Sequence, residues 1–215
     1  ASRPQWVGEP VALPTSGRDL LLAVDISESM QIEDMAANDE LLPRLLVVKS
    51  VVKDFVARRT GDKLGLILFG SQAYLHVPLT FDKATLNTLL EEARIGFAGK
   101  ATAIGDAIGI AIKRLETRPE GNRVLILLSD GADTASELPP RKAAELAAQH
   151  GLRIYTIGIG ADAIVRQSFF GARTFNPSAD LDEQMMTDIA SQTGGRYFRA
   201  RNPEELEAIY QLLDT

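Results

Sequence analysis

The sequence contains no cysteine among its 215 residues. This absence excludes disulfide bonds, metal sites built on thiolates and cysteine nucleophiles. It leaves the redox compartment of the protein undecided, because a chain without cysteine folds in either environment.

Long hydrophobic runs are also missing from the sequence. The longest, such as LLLAV and VLILL, are far shorter than the roughly 18 apolar residues that span a bilayer. No signal-peptide pattern is visible. Because the sequence starts abruptly at ASRPQW, we expect a fragment of a longer protein whose targeting or anchoring segments lie outside it.

An excess of positive charge is the third thing that the sequence lacks. Its 23 Lys and Arg against 29 Asp and Glu give a net charge of -6, and the basic residues are scattered. A nucleic-acid surface normally needs a basic patch, so this class of partner is excluded. The composition, 45% hydrophobic and 24% charged, is typical of a soluble globular protein of one large domain.

Apolar strands alternate with amphipathic segments from Asp19 onward. The pattern predicts strands over 19–25, 63–69, 73–79, 123–129, 153–159 and 195–200. It predicts helices over 41–59, 82–93, 103–116, 139–150, 181–193 and 203–213, with Asn202 as N-cap of the last. A loop of roughly twenty residues, with Gly171 and Pro177, is expected before the fifth helix.

This alternation predicts the fold class: an α/β, doubly wound, mostly parallel sheet with helices on both faces. The segment 73–79 follows its neighbour after three residues and contains Pro78, so it is predicted to be a short antiparallel edge strand. Residues 1–18 are predicted to form an extended N-terminal arm, and 19–215 a single domain.

Polar side chains follow two of the predicted strands at the point where each ends. DISESM supplies Asp25, Ser27 and Ser29, and LLSDGADT supplies Asp130. If these strands are neighbours, the four side chains converge at the carboxyl edge of the sheet, where ligands bind in open α/β folds. Thr102, at the glycine-rich entry to a helix, either caps that helix or faces the same volume. The simpler interpretation of DISESM is a polar turn with local hydrogen bonds.

Carboxylates and hydroxyls form a set of hard oxygen donors. Such a set suits Mg²⁺ or Mn²⁺, with waters completing the coordination, and suits Zn²⁺ or Cu²⁺ poorly. Because many of the ligands are neutral, the ion would stay electrophilic. We therefore expect it to attract an anionic ligand from outside, such as an Asp or Glu of a partner protein.

These residues resemble the metal-ion-dependent adhesion site, or MIDAS, of von Willebrand factor A-type domains. The D-x-S-x-S motif falls on Asp25, Ser27 and Ser29, with the later Thr at Thr102 and the later Asp at Asp130. The resemblance implies that Ser27, Ser29 and Thr102 reach a Mg²⁺, Mn²⁺ or Ca²⁺ ion directly or through water. It implies that Asp25 and Asp130 act through waters and hydrogen bonds.

Within that family the sequence is most similar to bacterial Bat aerotolerance proteins, through RDLLLAVDISESM, TAIGDAIG and LDEQMMTDIASQTGGRYFRA. This narrower resemblance implies a non-enzymatic interaction module anchored in the bacterial inner membrane by flanking segments, with its soluble domain in the periplasm. It also implies partners among MoxR-type AAA+ ATPases and other proteins with such domains.

Several acidic residues near the motif need a separate interpretation. Many such sites have Gly where this chain has Glu28, and a residue between two ligands is expected to face solvent. Asp106 is expected to interact favourably with the dipole of its helix, and Asp133 is expected to be a turn residue. Glu33 and Asp34 are expected in a solvated loop, although contact with a partner is the alternative.

Two other functions remain as alternatives. A Lewis-acidic ion on this fold could support a hydrolase, although no general base or phosphate-binding loop is recognisable. The metal could instead be purely structural. GIGADA at 158–163 fits a dinucleotide motif but in the wrong context, and neither His76 nor His150 has triad partners at motif spacing.

Overall fold

The computed structural model describes residues 17–168 and 171–214. The predicted extended arm falls mainly on residues 1–16, which lie outside the described residues. Along the described ranges, no helix combines the length and the apolar character needed to cross a bilayer.

Strands and helices alternate along the chain as predicted. The strands are β1 Asp19–Asp25, β2 Glu33–Ala37, β3 Glu40–Pro43, β4 Lys63–Phe69, β5 Ala73–Thr80, β6 Arg123–Ser129, β7 Arg153–Ile159, β8 Ile164–Ser168, β9 Gly171–Phe175 and β10 Tyr197–Ala200. The helices are α1 Arg44–Arg58, α2 Lys83–Glu92, α3 Ile104–Leu115, α4 Pro140–Gln149, α5 Glu183–Gln192 and α6 Pro203–Leu213, with a 3₁₀ helix at Glu28–Gln31.

The central sheet has the strand order β10-β7-β6-β1-β4-β5. All neighbouring pairs are parallel except β4 and β5, which confirms β5 as the antiparallel edge strand. Successive strands are added on one side of β1 as far as β5, and from β6 onward on the other. The strand order therefore reverses between β1 and β6, where an open α/β sheet opens a crevice at its carboxyl edge.

Both faces of the sheet are covered, which explains why its strands are apolar throughout. Leu20, Leu22 and Val24 of β1 pack in one core with α1, α2 and α6. Leu21 and Ala23 point the other way and pack with α3, α4 and α5. The alternation follows from the two-residue period of a strand. The predicted fold class, α/β with a doubly wound sheet, is confirmed.

The segment between β1 and α1 differs from the prediction of a polar loop and a helix starting at 41. It forms an antiparallel hairpin of β2 and β3, with Asn38 and Asp39 at φ 49° and 65° in its turn. Asn and Asp tolerate this left-handed conformation better than other non-glycine residues. The helix starts later because Leu42 precedes Pro43, and a residue before proline avoids the helical region.

The long loop predicted after β7 also has structure of its own. β8 and β9 pair antiparallel as a separate two-stranded sheet. The expectation of a segment without regular structure was therefore wrong. The prediction of Asn202 as N-cap is confirmed, because its Oδ1 accepts a hydrogen bond from the Glu205 N–H at 2.8 Å.

Candidate metal site

Asp25 ends β1 and is fully buried. Its Oδ1 accepts the backbone N–H of Ser27 at 2.8 Å, and its Oδ2 accepts the Ser129 hydroxyl at 2.6 Å. The first bond folds the chain back at the end of the strand, and the 3₁₀ helix continues the turn with Met30 buried beneath it. Asp25 thereby fixes the position of the loop that carries the two serines.

Ser27, Ser29 and Asp130 form a continuous chain of contacts. The Oγ atoms of Ser27 and Ser29 are 3.1 Å apart, and Ser29 donates to Asp130 Oδ1 at 2.7 Å. Asp130 follows β6, which pairs directly with β1. The structure therefore brings residues about a hundred positions apart to one point at the strand-order reversal, as their positions after the two strands predict.

Thr102 lies close to the segment that carries Asp130. A Cβ placed on Gly131, the residue after Asp130, would lie 3.9 Å from Thr102 Oγ1. The loop before Thr102 also contacts the serine loop, because the Glu28 N–H donates to the Lys100 carbonyl at 3.3 Å. Thr102 does not cap α3 with its side chain; Asp133 Oδ1 accepts the Ile104 N–H at 2.8 Å instead.

Arg44 is a component that the sequence did not reveal. Arginine side chains are usually exposed, yet Arg44 is only 1% exposed. Its Nη1 donates to Asp130 Oδ2 at 2.7 Å. The missed signal is spacing: Arg44 lies four residues before Val48, on the buried side of α1. A cation at a helix N-terminus also opposes the helix dipole, so the acids around Arg44 are what stabilise it there.

Asp34 is the second unrecognised component. The expectation of a solvated loop was wrong for this residue, because it is 1% exposed. Its two carboxylate oxygens accept Nε and Nη2 of Arg44 at 2.9 and 2.6 Å. Such bidentate pairs are among the strong and geometrically specific hydrogen bonds of proteins.

The flanking acidic residues have structural roles. Glu28 is exposed and lies 3.5 Å from Lys100, as its place between two ligands predicts. Asp106 accepts the backbone N–H groups of Glu137 and Leu138 at 3.2 and 2.9 Å, so it holds the loop after β6 against α3. The side chain of Asp133 contributes to the same junction by capping α3.

Burial and charge determine how the two acids of the site ionise. Burial raises the pKa of Asp25 to about 7, and the neighbouring charge of Asp130 acts in the same direction. Hydrogen bonds from Ser129 and Ser27 oppose this shift without cancelling it. Burial also raises the pKa of Asp130, although the charge of Arg44 favours its ionised form.

The donor set fits a hard divalent cation. Asp25, Asp34 and Asp130 are all buried, and Arg44 supplies one positive charge among them. When all are ionised, an excess of two negative charges remains beside the hydroxyls. Among the described residues, no group of three or more His, Asp or Glu side chains is arranged to hold a metal by itself. The hydroxyls are therefore essential to the predicted ligand set.

The two histidines lie outside this site. His76 Nε2 is 3.2 Å from the Leu89 carbonyl, and His150 Nδ1 is 2.8 Å from the Leu146 carbonyl. Each ring nitrogen must carry the proton to donate to a carbonyl. The GIGADA stretch is followed by the β8–β9 hairpin instead of the helix that a dinucleotide site requires.

Open α/β domains bind their ligands at the strand-order reversal, and this is where the acids and hydroxyls of the chain are clustered. The model of the von Willebrand factor type A domain matches residues 19–212. The chain therefore belongs to this family.

Proteins similar to the chain include bacterial ones. It is 28% identical over 190 residues to an uncharacterized protein of Borreliella burgdorferi, covering 86% of this chain and 54% of the relative. The chain thus spans about half the length of that curated relative. The crystal structure of a conserved hypothetical protein BatB from Bacteroides thetaiotaomicron is similar, with 28% identity and a TM-score of 0.73, covering 92% of this chain and 97% of that one.

A second solved structure is also similar to the chain. An aerotolerance-related membrane protein of Bacteroides fragilis has 26% identity and a TM-score of 0.72, covering 92% of this chain and 98% of that chain. The resemblance to Bat proteins that the sequence indicates is thus confirmed at the level of the domain.

Proposed function

We propose that this domain is a divalent-metal-dependent protein-binding module. Ser27, Ser29 and Thr102, with Asp25 and Asp130 behind them, hold a Mg²⁺ or Mn²⁺ ion that attracts an Asp or Glu of a partner. The observation that carries this proposal is the contact chain from Ser27 through Ser29 to Asp130, set among buried acids with an excess of negative charge.

Charge supports a cation at this position. Two unpaired negative charges in a buried site are costly, and either a proton or a metal ion relieves that cost. The raised pKa of Asp25 has the same cause, because burial and the charge of Asp130 both disfavour the ionised carboxyl. A divalent ion with several neutral hydroxyl ligands keeps enough positive charge to attract an external carboxylate.

We propose binding without turnover as the function of the site. Both oxygens of Asp25 already accept hydrogen bonds, and Asp130 is engaged by Ser29 and Arg44. Both acids are also buried, so neither presents an open oxygen to an attacking water molecule as the general base of a hydrolase would. Hydrolysis of phosphate or ester substrates that disappears in Asp130→Ala would favour the hydrolase instead.

For the partner, we propose a MoxR-type AAA+ ATPase or another protein with a domain of this family, at the bacterial envelope. The similarity to an aerotolerance-related membrane protein supports a location at a membrane. The class of partner is proposed from the resemblance of the sequence to Bat proteins. We further propose that segments outside this sequence anchor the domain to the inner membrane with the domain in the periplasm.

The test is capture of a purified MoxR-type ATPase by the immobilised chain, in Mg²⁺ and in EDTA. We expect capture in Mg²⁺ that EDTA and Ser27→Ala both abolish. Ser191→Ala, at an exposed serine of α5, is the matched control and should behave like the wild type. Capture that persists in EDTA would exclude metal-dependent binding. If EDTA then also lowered the melting temperature of the chain, the metal would be structural.

A further inference from the structure

The pair formed by Asp34 and Arg44 reaches beyond the metal site. Arg44 Nη2 donates to the Pro177 carbonyl at 2.9 Å, and the Ala161 N–H donates to Asp34 Oδ2 at 2.9 Å. These two backbone groups lie at the two ends of the segment that carries β8 and β9. The pair therefore holds both ends of that segment.

The contact between these two ends is close. Ser178 Oγ donates to the Ala161 carbonyl at 2.7 Å. Gly160 adopts φ 129°, and a Cβ there would lie 2.4 Å from Ser178 Oγ and 2.6 Å from Arg44 Nη2. Glycine is thus required at this position, both for its backbone conformation and for the approach of the guanidinium.

The same guanidinium determines how Asp130 is oriented. Its Nη1 occupies Asp130 Oδ2, so that Oδ1 is the oxygen that faces Ser29. A shift of Arg44 would change the orientation of the metal-site carboxylate and the backbone positions of Ala161 and Pro177 together. The contacts of Arg44 with Asp34, Asp130 and the Pro177 carbonyl are buried, where water does not readily replace a lost partner.

We infer that Asp34 and Arg44 are positioning residues that couple the metal site to the base of the β8–β9 hairpin. This inference rests on the proposed function, because it assigns the hairpin base to the part of the domain that responds when the ion binds. Metal binding fixes Asp130, Asp130 fixes Arg44, and Arg44 with Asp34 fixes the two ends of the hairpin segment.

The chain contains a matched control at the opposite end of α1. Arg59 forms a buried pair with Asp62, whose Oδ1 also accepts a backbone N–H, that of Arg18, at 2.7 Å. Asp62→Asn therefore removes the same kind of bridge as Asp34→Asn, between an arginine of α1 and a backbone amide. It does so at the edge of the sheet away from the metal site.

The experiment is amide hydrogen exchange of the purified chain with and without saturating Mn²⁺, in peptides covering 159–163 and 175–181. In wild type and Asp62→Asn, Mn²⁺ should slow exchange there about tenfold, as expected for one charge-assisted hydrogen bond. Asp34→Asn removes one negative charge beside the site and should bind Mn²⁺ more weakly. At Mn²⁺ concentrations that saturate this variant by calorimetry, its serine loop should be protected while the slowing at the hairpin base is lost. Arg44→Lys, which keeps the charge but not the planar fork, should lose it too.

The outcomes separate this inference from the proposed function. Slowing at the hairpin base that persists in Asp34→Asn and Arg44→Lys overturns the coupling. If wild type binds Mn²⁺ but amide exchange at the hairpin base is not slowed, the coupling is overturned and the proposed function is not. Wild type that does not bind Mn²⁺ overturns the proposed function and the coupling with it.

Discussion

The two ends of α1 carry similar buried arginines in different electrostatic settings. At the C-terminal end, Arg59 pairs with Asp62, and nearby Arg58 pairs with Asp214. On the same edge of the sheet, Asp19 pairs with Arg118 at 3.0 Å. Asp62 and Asp19, the buried acids of these pairs, each have an arginine partner, so the buried charges of this edge are balanced.

At the N-terminal end of α1 the charges are not balanced. Arg44 contacts both Asp34 and Asp130, while Asp25 accepts hydrogen bonds from hydroxyl and amide groups. A balanced buried network needs no further counter-charge, whereas a buried excess of negative charge needs a proton or a cation. The difference teaches that burial of charge alone does not indicate function; the unmatched charge does.

On the balanced edge, we expect a large loss of stability from a single substitution. Asp62→Asn leaves Arg59 without its main anionic partner in a buried position. We expect a loss of about 3 kcal/mol in the free energy of unfolding, because one member of a buried pair has lost its charge. Urea denaturation measures this loss, and Mn²⁺ affinity by calorimetry should stay unchanged. A loss below about 1 kcal/mol would show that this pair is not the stabilising one.

At the unbalanced edge, Asp130→Ala should mainly weaken the binding of the metal ion. It removes the carboxylate that contacts Ser29 and one of the two acids behind the hydroxyls. We expect at least a 100-fold weaker Mn²⁺ affinity, about 2.7 kcal/mol, by isothermal titration calorimetry. If Asp130→Ala binds Mn²⁺ as tightly as wild type, Asp130 is not part of the site.

The pH dependence of the metal-free protein should show the unmatched charge directly. The pKa of Asp25 rises from 3.8 to about 7 on folding, so the folded state keeps a proton that the unfolded chain has lost. The free energy of unfolding should therefore fall as the pH rises between these two values, by up to about 1.4 kcal/mol per pH unit, and level off above them.

Asp25→Asn is the variant that checks this pH effect. An amide does not titrate, so the contribution of residue 25 to the slope should disappear, as followed by urea denaturation from pH 4 to 8. The variant should also be more stable than wild type at pH 8 without metal, the opposite sign from Asp62→Asn. An unchanged slope in Asp25→Asn would assign the titration to another group.

The smallest effect is expected at the surface of the metal edge. Glu28 and Lys100 are largely exposed, and exposed ion pairs contribute little to stability. Glu28→Gln should change the free energy of unfolding by less than about 0.5 kcal/mol and Mn²⁺ affinity by less than about twofold. A larger change in Mn²⁺ affinity would show that Glu28 approaches the ion.

The sequence by itself determined the architecture and the positions of the predicted ligands. Strand and helix periods differ, and a buried parallel sheet needs apolar strands, so the alternation predicts a doubly wound fold. In such a fold the residues after neighbouring strands meet at one edge. The sequence alone therefore predicts that four residues lie close together: Asp25, Ser27, Ser29 and Asp130. Their binding of a metal stays a prediction.

The tertiary structure decided which charges are buried and what they contact. Arg44 and Asp34 look like surface residues because their types are usually exposed, and their burial follows from pairing with each other and with Asp130. Ser129 is a similar case, since its hydroxyl contacts Asp25 only because β1 and β6 are neighbours. Contacts between distant segments depend on three-dimensional packing, and neither hydrophobic period nor motif spacing encodes them locally.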